Sequence, residues 1–344
     1  CKYGYYVAYG FYFILIKGLS MLPDGLKAVI YSVAGLSLSA EERVFFTEAN
    51  PVGFILFGRN CETPEQVKAL CEDLRRCVGW HCPILIDQEG GRVQRLKPPI
   101  WRGFPPMEIF GARAKVDMDQ ALEELRYCVL QLAEELVEVG VNVDCAPVMD
   151  VLAPETHDVI GDRAFGDDPQ IVGRLGVSVC RNLLSLGVVP VIKHIPGHGR
   201  ATCDSHKELP RVSVQKSELS AKDFEPFRIA VKSDISDRMW AMASHVIYED
   251  IDPDHPASVS PVIIEDVIRQ DIGFKGFLVS DDLDMHALDG YGSVAERTRT
   301  CVEAGCDAAL YCAGDLSAMQ EIQKIVPNLS AKARKALQLS LNMA

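Results

Sequence analysis

Three short stretches of the 344-residue chain concentrate side chains able to do chemistry. The first is Lys193-His194-Ile195-Pro196-Gly197-His198-Gly199, followed by Asp204-Ser205-His206, so that three of the eight histidines fall within thirteen positions. Asp204 and His206 stand two apart. On an irregular backbone the carboxylate can hold one imidazole nitrogen and leave the other free as acid or base. The same residues also read as a metal site built from His194, His198, Asp204 and His206, or as a plain turn capped by Asp204 with His206 in solvent. The second stretch, Asp87-Gln88-Glu89-Gly90-Gly91-Arg92-Val93-Gln94-Arg95, directly follows the apolar run 83–86; its plainest reading is a solvated turn with a Gly-Gly bend.

The third stretch is Ser280-Asp281-Asp282-Leu283-Asp284-Met285-His286. Three aspartates within four positions repel one another unless cations or hydrogen bonds compensate. Asp282 and Asp284 suit the N-cap of a following helix. Asp281, at the end of an apolar run, should instead point inward, and an ionised carboxylate there is what a retaining glycosidase needs as its nucleophile. Two lesser signals are Arg163, in the glycine-bracketed loop 161–168, whose planar fork suits a hydroxyl or a carboxylate, and His245, which in its apolar setting reads as a satisfied core histidine.

These stretches sit at the ends of elements that must position them. From Leu26 onward, short apolar runs rich in β-branched residues alternate with amphipathic stretches. The runs 28–33, 52–57, 83–86, 141–146, 188–193, 239–246, 277–280 and 307–312 read as strands buried on both faces. The segments 39–48, 63–77, 117–139, 170–185, 216–232, 261–271 and 293–304 read as helices, with Gly140, Gly187 and Gly305 where a left-handed terminating residue belongs. Eight βα units without a long break predict an α/β fold, a single (β/α)8 TIM-type barrel. No GxGxxG follows the first strand to support a dinucleotide-binding sheet. In such a barrel, function collects at the C-terminal ends of the strands, which is where the three stretches fall.

Composition narrows the partners. With 35 Lys+Arg against 48 Asp+Glu the net charge is −13, and 48% of residues are apolar. That profile is globular, and its acidity argues against nucleic acid or an anionic membrane as a partner. The twelve cysteines are scattered without a CxxC pair, which reads as buried free thiols in a reducing, cytoplasmic setting. Residues 3–16 form an apolar run of about fourteen residues, short of the roughly 20 a membrane span needs. Residues 1–20 are therefore expected to be a leader outside the fold, with the barrel over 21–344.

The three stretches together resemble glycoside hydrolase family 3, and more narrowly the bacterial single-domain β-N-acetylhexosaminidases of peptidoglycan recycling. The similarity runs from about Ser39 to Cys312. The resemblance implies a retaining exo-β-N-acetylglucosaminidase in which Asp281 forms a covalent glycosyl intermediate. It further implies His206, paired with Asp204, as acid/base, and Asp87, Arg95, Arg163, Lys193 and His194 as the residues that bind N-acetylglucosamine. The implied substrate is N-acetylglucosaminyl-1,6-anhydro-N-acetylmuramic acid and its peptides, handled by a monomer with no metal and no cofactor. Ile195 departs from the family, which usually carries Phe there. Two other readings stand beside this one: a broader β-glycosidase of the same family, and a metal-dependent barrel hydrolase using His194, His198 and His206. The latter lacks the H-x-H such barrels usually show after their first strand.

Overall fold

The computed structural model describes residues 22–203 and 208–341. The expected leader 1–20 and the pair Asp204 and His206 lie outside the described residues. Eight parallel strands close into a barrel: β1 (Lys27–Ser32), β2 (Pro51–Leu56), β3 (Ile84–Ile86), β4 (Val143–Asp144), β5 (Val189–Ile195), β6 (Trp240–Ala243), β7 (Phe277–Asp282) and β8 (Ala308–Tyr311). Each strand pairs with its neighbours in sequence, and β8 returns to β1 through Val29, Ile30 and Tyr31. All eight predicted strands are present. The (β/α)8 barrel follows from them because both faces of every strand are buried, one by the barrel interior and one by the outer helices.

Helix boundaries follow their caps. Ser39 and Glu42 form a reciprocal capping box ahead of Ala40–Ala49, Thr63 accepts from the Gln66 amide, and Asp117 accepts from the Gln120 amide. Gly140, Gly187 and Gly305 all adopt positive φ. The predicted helix 216–232 is instead two pieces, Lys216–Ala221 and Glu225–Val231. Pro226 has no amide to continue the first piece and sits in the opening turn of the second. Ile263–Asp271 winds as a π-helix. The segment Glu108–Ala114, unmarked by any apolar period in the sequence, forms a further short helix.

Two strands differ at their ends in ways that matter for the site. The ladder of β4 stops at Asp144, but the chain continues beside β5 by single bonds, Lys193 N to Pro147 O and Met149 N to Lys193 O, which carry it to Asp150. β7 runs to Asp282, two residues beyond its expected end, and so includes Asp281.

Candidate active site

A cavity of about 260 Å³ opens at the C-terminal mouth of the barrel, and Asp87, Arg95, Arg163, Lys193, His194 and Asp281 all line it. The stretch after β3 is an internal hairpin, Gln88–Gly90 against Val93–Gln94, and not a solvated turn. Gln88 braces it from inside: its Oε1 accepts from the amides of Arg95 at 2.9 Å and Leu96 at 3.1 Å. The glycine pair is required by space as well as by its positive φ, since a Cβ on Gly90 would stand 2.5 Å from Pro105 O.

This hairpin and the end of β5 share one ion network. Lys193 Nζ donates to Asp87 at 2.8 Å and bridges to Glu89 at 2.6 Å. Arg95 donates to the other Asp87 oxygen at 2.8 Å, and Arg163 grips Glu89 through two parallel 2.8 Å bonds. Burial pushes both carboxyls up, yet the cations outweigh it. Lys193 and Arg95 drive Asp87 well below the usual carboxylate range, and Arg163 with Lys193 holds Glu89 at about 2. Burial likewise lowers Lys193, and its two carboxylates more than restore it. The Arg163 fork, expected to be open to a hydroxyl or carboxylate, is occupied by Glu89 within the protein.

Beside this network, Asp150 collects the loop after β5. Its Oδ1 accepts from the amides of His194 at 3.1 Å and His198 at 2.7 Å, and its Oδ2 lies 2.7 Å from His194 Nδ1. Burial raises this carboxyl, but the attraction of His194 and these hydrogen bonds bring it to about 2. An ionised Asp150 makes His194 Nδ1 the donor and fixes the ring so that Nε2 lies on its far side. His198 packs edge-on to His194 at 5.5 Å, and burial first, then its neighbour, lowers it to about 4. Gly199 is the only residue type its place admits: a Cβ there would stand 1.8 Å from Val151 O.

At β7, Asp281 lines the cavity, as its strand-end position implied. Its Oδ1 accepts from the Asp282 amide at 2.8 Å. Asp282 caps no helix: its Oδ1 accepts from the amides of Asp284 and Cys312, both at 3.1 Å, and the next helical turn, His286–Tyr291, begins after Met285 without a side-chain cap. Asp284 also fails to cap it. Burial, opposed by those amides and aided by Asp281, raises Asp282 to about 6.

Among the described residues, no group of three or more His, Cys, Asp or Glu stands where it could hold a metal ion. The described cysteines are free thiols, with Cys145, Cys180 and Cys312 buried. Local spacing gives no role to Glu89 or Asp150. Glu89 lies within the polar stretch after β3, where only its distant partners distinguish it. Asp150 ends the apolar run Cys145-Ala146-Pro147-Val148-Met149, much as Asp87 ends 83–86, and that was its signal.

A profile of the glycosyl hydrolase family 3 N-terminal domain matches residues 26–340. The chain belongs to glycosyl hydrolase family 3. Within the family it falls among the β-N-acetylhexosaminidases. A β-hexosaminidase of Nitrosomonas eutropha is 38% identical over 287 residues, covering 83% of this chain and 81% of that protein. NagZ of Neisseria gonorrhoeae, solved with N-trifluoroacetyl-D-glucosamine, superposes with a TM-score of 0.83 at 32% identity, covering 92% of this chain and 90% of that one. The same Neisseria protein, solved with a zinc ion, gives 0.82 at 31% identity with the same coverage. In this family 3 barrel, no helix among the described residues is long and apolar enough to cross a membrane.

Proposed function

We propose that this family 3 glycosidase is a retaining exo-β-N-acetylglucosaminidase that removes terminal N-acetylglucosamine from 1,6-anhydro-muropeptides, as a cytoplasmic monomer without a metal. The observation that carries this reading is the placement of Asp281 at the C-terminal end of β7, facing the Asp87, Glu89, Lys193 network across one small cavity. That volume suits a single sugar ring more than an internal stretch of a polymer. The Neisseria relative's complex with an N-acylated glucosamine supports the same sugar.

In the first step, an Asp281 oxygen attacks the anomeric carbon while the leaving oxygen takes a proton from His206, with Asp204 orienting that ring and favouring its protonated form. Water then attacks the glycosyl-Asp281 ester, and neutral His206 accepts the water's proton. Asp87 and Lys193 are matched in charge, so each can turn a lone pair or a proton toward sugar hydroxyls without leaving an unpaired buried ion. Arg95, Arg163 and His194 complete the binding surface. The cavity pairs its cations with carboxylates, Arg95 and Lys193 with Asp87 and Arg163 with Glu89, so it is closer to balanced than the overall charge of −13 suggests.

Incubation with a slow-releasing 5-fluoro N-acetylglucosaminide should add one glycosyl mass, and peptide mapping should find it on Asp281. A label elsewhere, or none alongside normal turnover, overturns the assignment. His206→Ala should slow aryl substrates with poor leaving groups most strongly, and an equal effect on all leaving groups would argue against its role as acid. The zinc-bound Neisseria structure motivates one control. Turnover should survive exhaustive chelation, and loss restored by zinc would favour the metal-dependent reading.

A further inference from the structure

We propose that His245 is a positioning residue for the nucleophile, acting through the main chain of β7. The inference rests on Asp281 being that nucleophile. His245 follows β6 and is fully buried. Its Nδ1 lies 2.6 Å from Ser258 Oγ, and its Nε2 lies 2.9 Å from the carbonyl oxygen of Asp282. A carbonyl only accepts, so Nε2 carries the proton and donates to the main chain of β7. Ser258 Oγ holds the ring from its other side.

The consequence lies one peptide away. The Asp282 amide donates to Asp281 Oδ1 at 2.8 Å, so the residue that His245 grips by its carbonyl is the residue whose N–H orients the nucleophile. Asp282 is fixed a third time by its own side chain, which takes the amides of Asp284 and Cys312. Ser258 is itself anchored, its amide donating to Ser244 O at 3.1 Å. The path from Ser258 through His245 to the Asp282 carbonyl therefore ties the loop after β6 to the end of β7. These are adjacent strands whose ladder stops at Ser280 and Ala243, just short of Asp281. Beyond that last rung the imidazole takes over the work of the backbone ladder. An attacking carboxylate oxygen needs its line of approach held to a fraction of an ångström, and small misplacement costs rate without weakening ground-state binding.

His245→Leu removes the donor, and His245→Gln keeps an N–H near the Nε2 position. With an activated aryl N-acetylglucosaminide, His245→Leu should lower kcat by about 30-fold while KM stays within about twofold. His245→Gln should recover most of the loss. Ser258→Ala, a smaller change for the case in which His245→Leu does not fold, should lower kcat by about fivefold with KM unchanged. The rate at which the 5-fluoro glycoside labels Asp281 separates the two claims. A label that forms on another residue in the wild type defeats the nucleophile assignment. A label that forms on Asp281 equally fast in wild type, His245→Leu and Ser258→Ala leaves that assignment standing and overturns the role of His245. Equal losses in His245→Leu and His245→Gln, matched by equal losses of thermal stability, would also overturn it by making the histidine a packing residue.

Discussion

Across the cavity, the wall built by β3 and β5 and the wall built by β7 hold their carboxylates by different means. On the first wall Asp87 and Glu89 each touch two cations, and Lys193 is shared between them. On the second wall, main-chain amides hold Asp281 and Asp282: that of Asp282 for the former, those of Asp284 and Cys312 for the latter. Ion pairs fix a charge and quench its nucleophilicity. A main-chain amide orients a carboxylate without delivering a full counter-charge. The first wall is thus suited to recognition and the second to reaction.

The sharpest way to break this contrast is to replace the one carboxylate assigned to bond making. Asp281→Asn should reduce turnover of an aryl N-acetylglucosaminide by at least about 10³-fold, with urea-unfolding stability within roughly 1 kcal/mol of wild type because the isosteric amide keeps an oxygen to accept from the Asp282 amide. Residual turnover within tenfold of wild type would move the nucleophile off the β7 wall.

The opposite pattern is expected on the other wall. Lys193→Met leaves Asp87 and Glu89 facing each other with the shared cation gone. Removing one partner from a buried ionic network costs about 3–5 kcal/mol. The urea midpoint should fall accordingly, well beyond the effect of Asp281→Asn. A Lys193→Met protein as stable as wild type would show that the network is not a coherent unit.

The β7 wall carries a pH signature of its own. Asp282 is raised to about 6, against about 3.9 in an unfolded chain. The folded state therefore binds the proton more tightly. The stability this adds is complete below about pH 4 and is lost as pH rises through 6. Asp282→Asn should then gain on wild type by about 2 kcal/mol between pH 4 and 7. A gap between the two proteins that does not change with pH would place Asp282 at an ordinary carboxylate value.

The barrel was legible because each of its strands is a short apolar run closed by glycine, proline or a polar cluster, and eight of them in alternation with helices leave few other folds. The site was legible wherever a polar residue directly follows such a run, as Asp87, Lys193 and Asp281 do. What stayed hidden was pairing. Arg163 shows in sequence only as a fork without a partner, and nothing local says that Glu89, 74 positions earlier, fills it. His245 likewise reads as core, which it is; that its core partner is the carbonyl beside the nucleophile depends on the register of β6 against β7. Helix capping at Asp282 failed for a related reason, since β8 brings the Cys312 amide to that side chain and local spacing cannot show it.

The smallest expected effect probes the seam between the walls, where Asp150 orients His194. Asp150→Asn can still accept from the amides of His194 and His198 through its remaining oxygen, so the loop should keep its course. Its amide group, however, meets His194 Nδ1 as a donor, which removes the proton from Nδ1, the carboxylate's hold on the ring and the counter-charge beside it. The expected cost is about tenfold in kcat/KM. The carboxyl also has a distinct acid signature. It is held at about 2 in the folded chain, so its stabilisation is complete above the unfolded value near 4 and disappears as pH falls through 2. The stability difference between wild type and Asp150→Asn should therefore narrow across that range, opposite in sense to the Asp282 case. If kcat/KM is unchanged while the acid-range difference is present, Asp150 serves folding alone, and His194 takes its orientation from elsewhere.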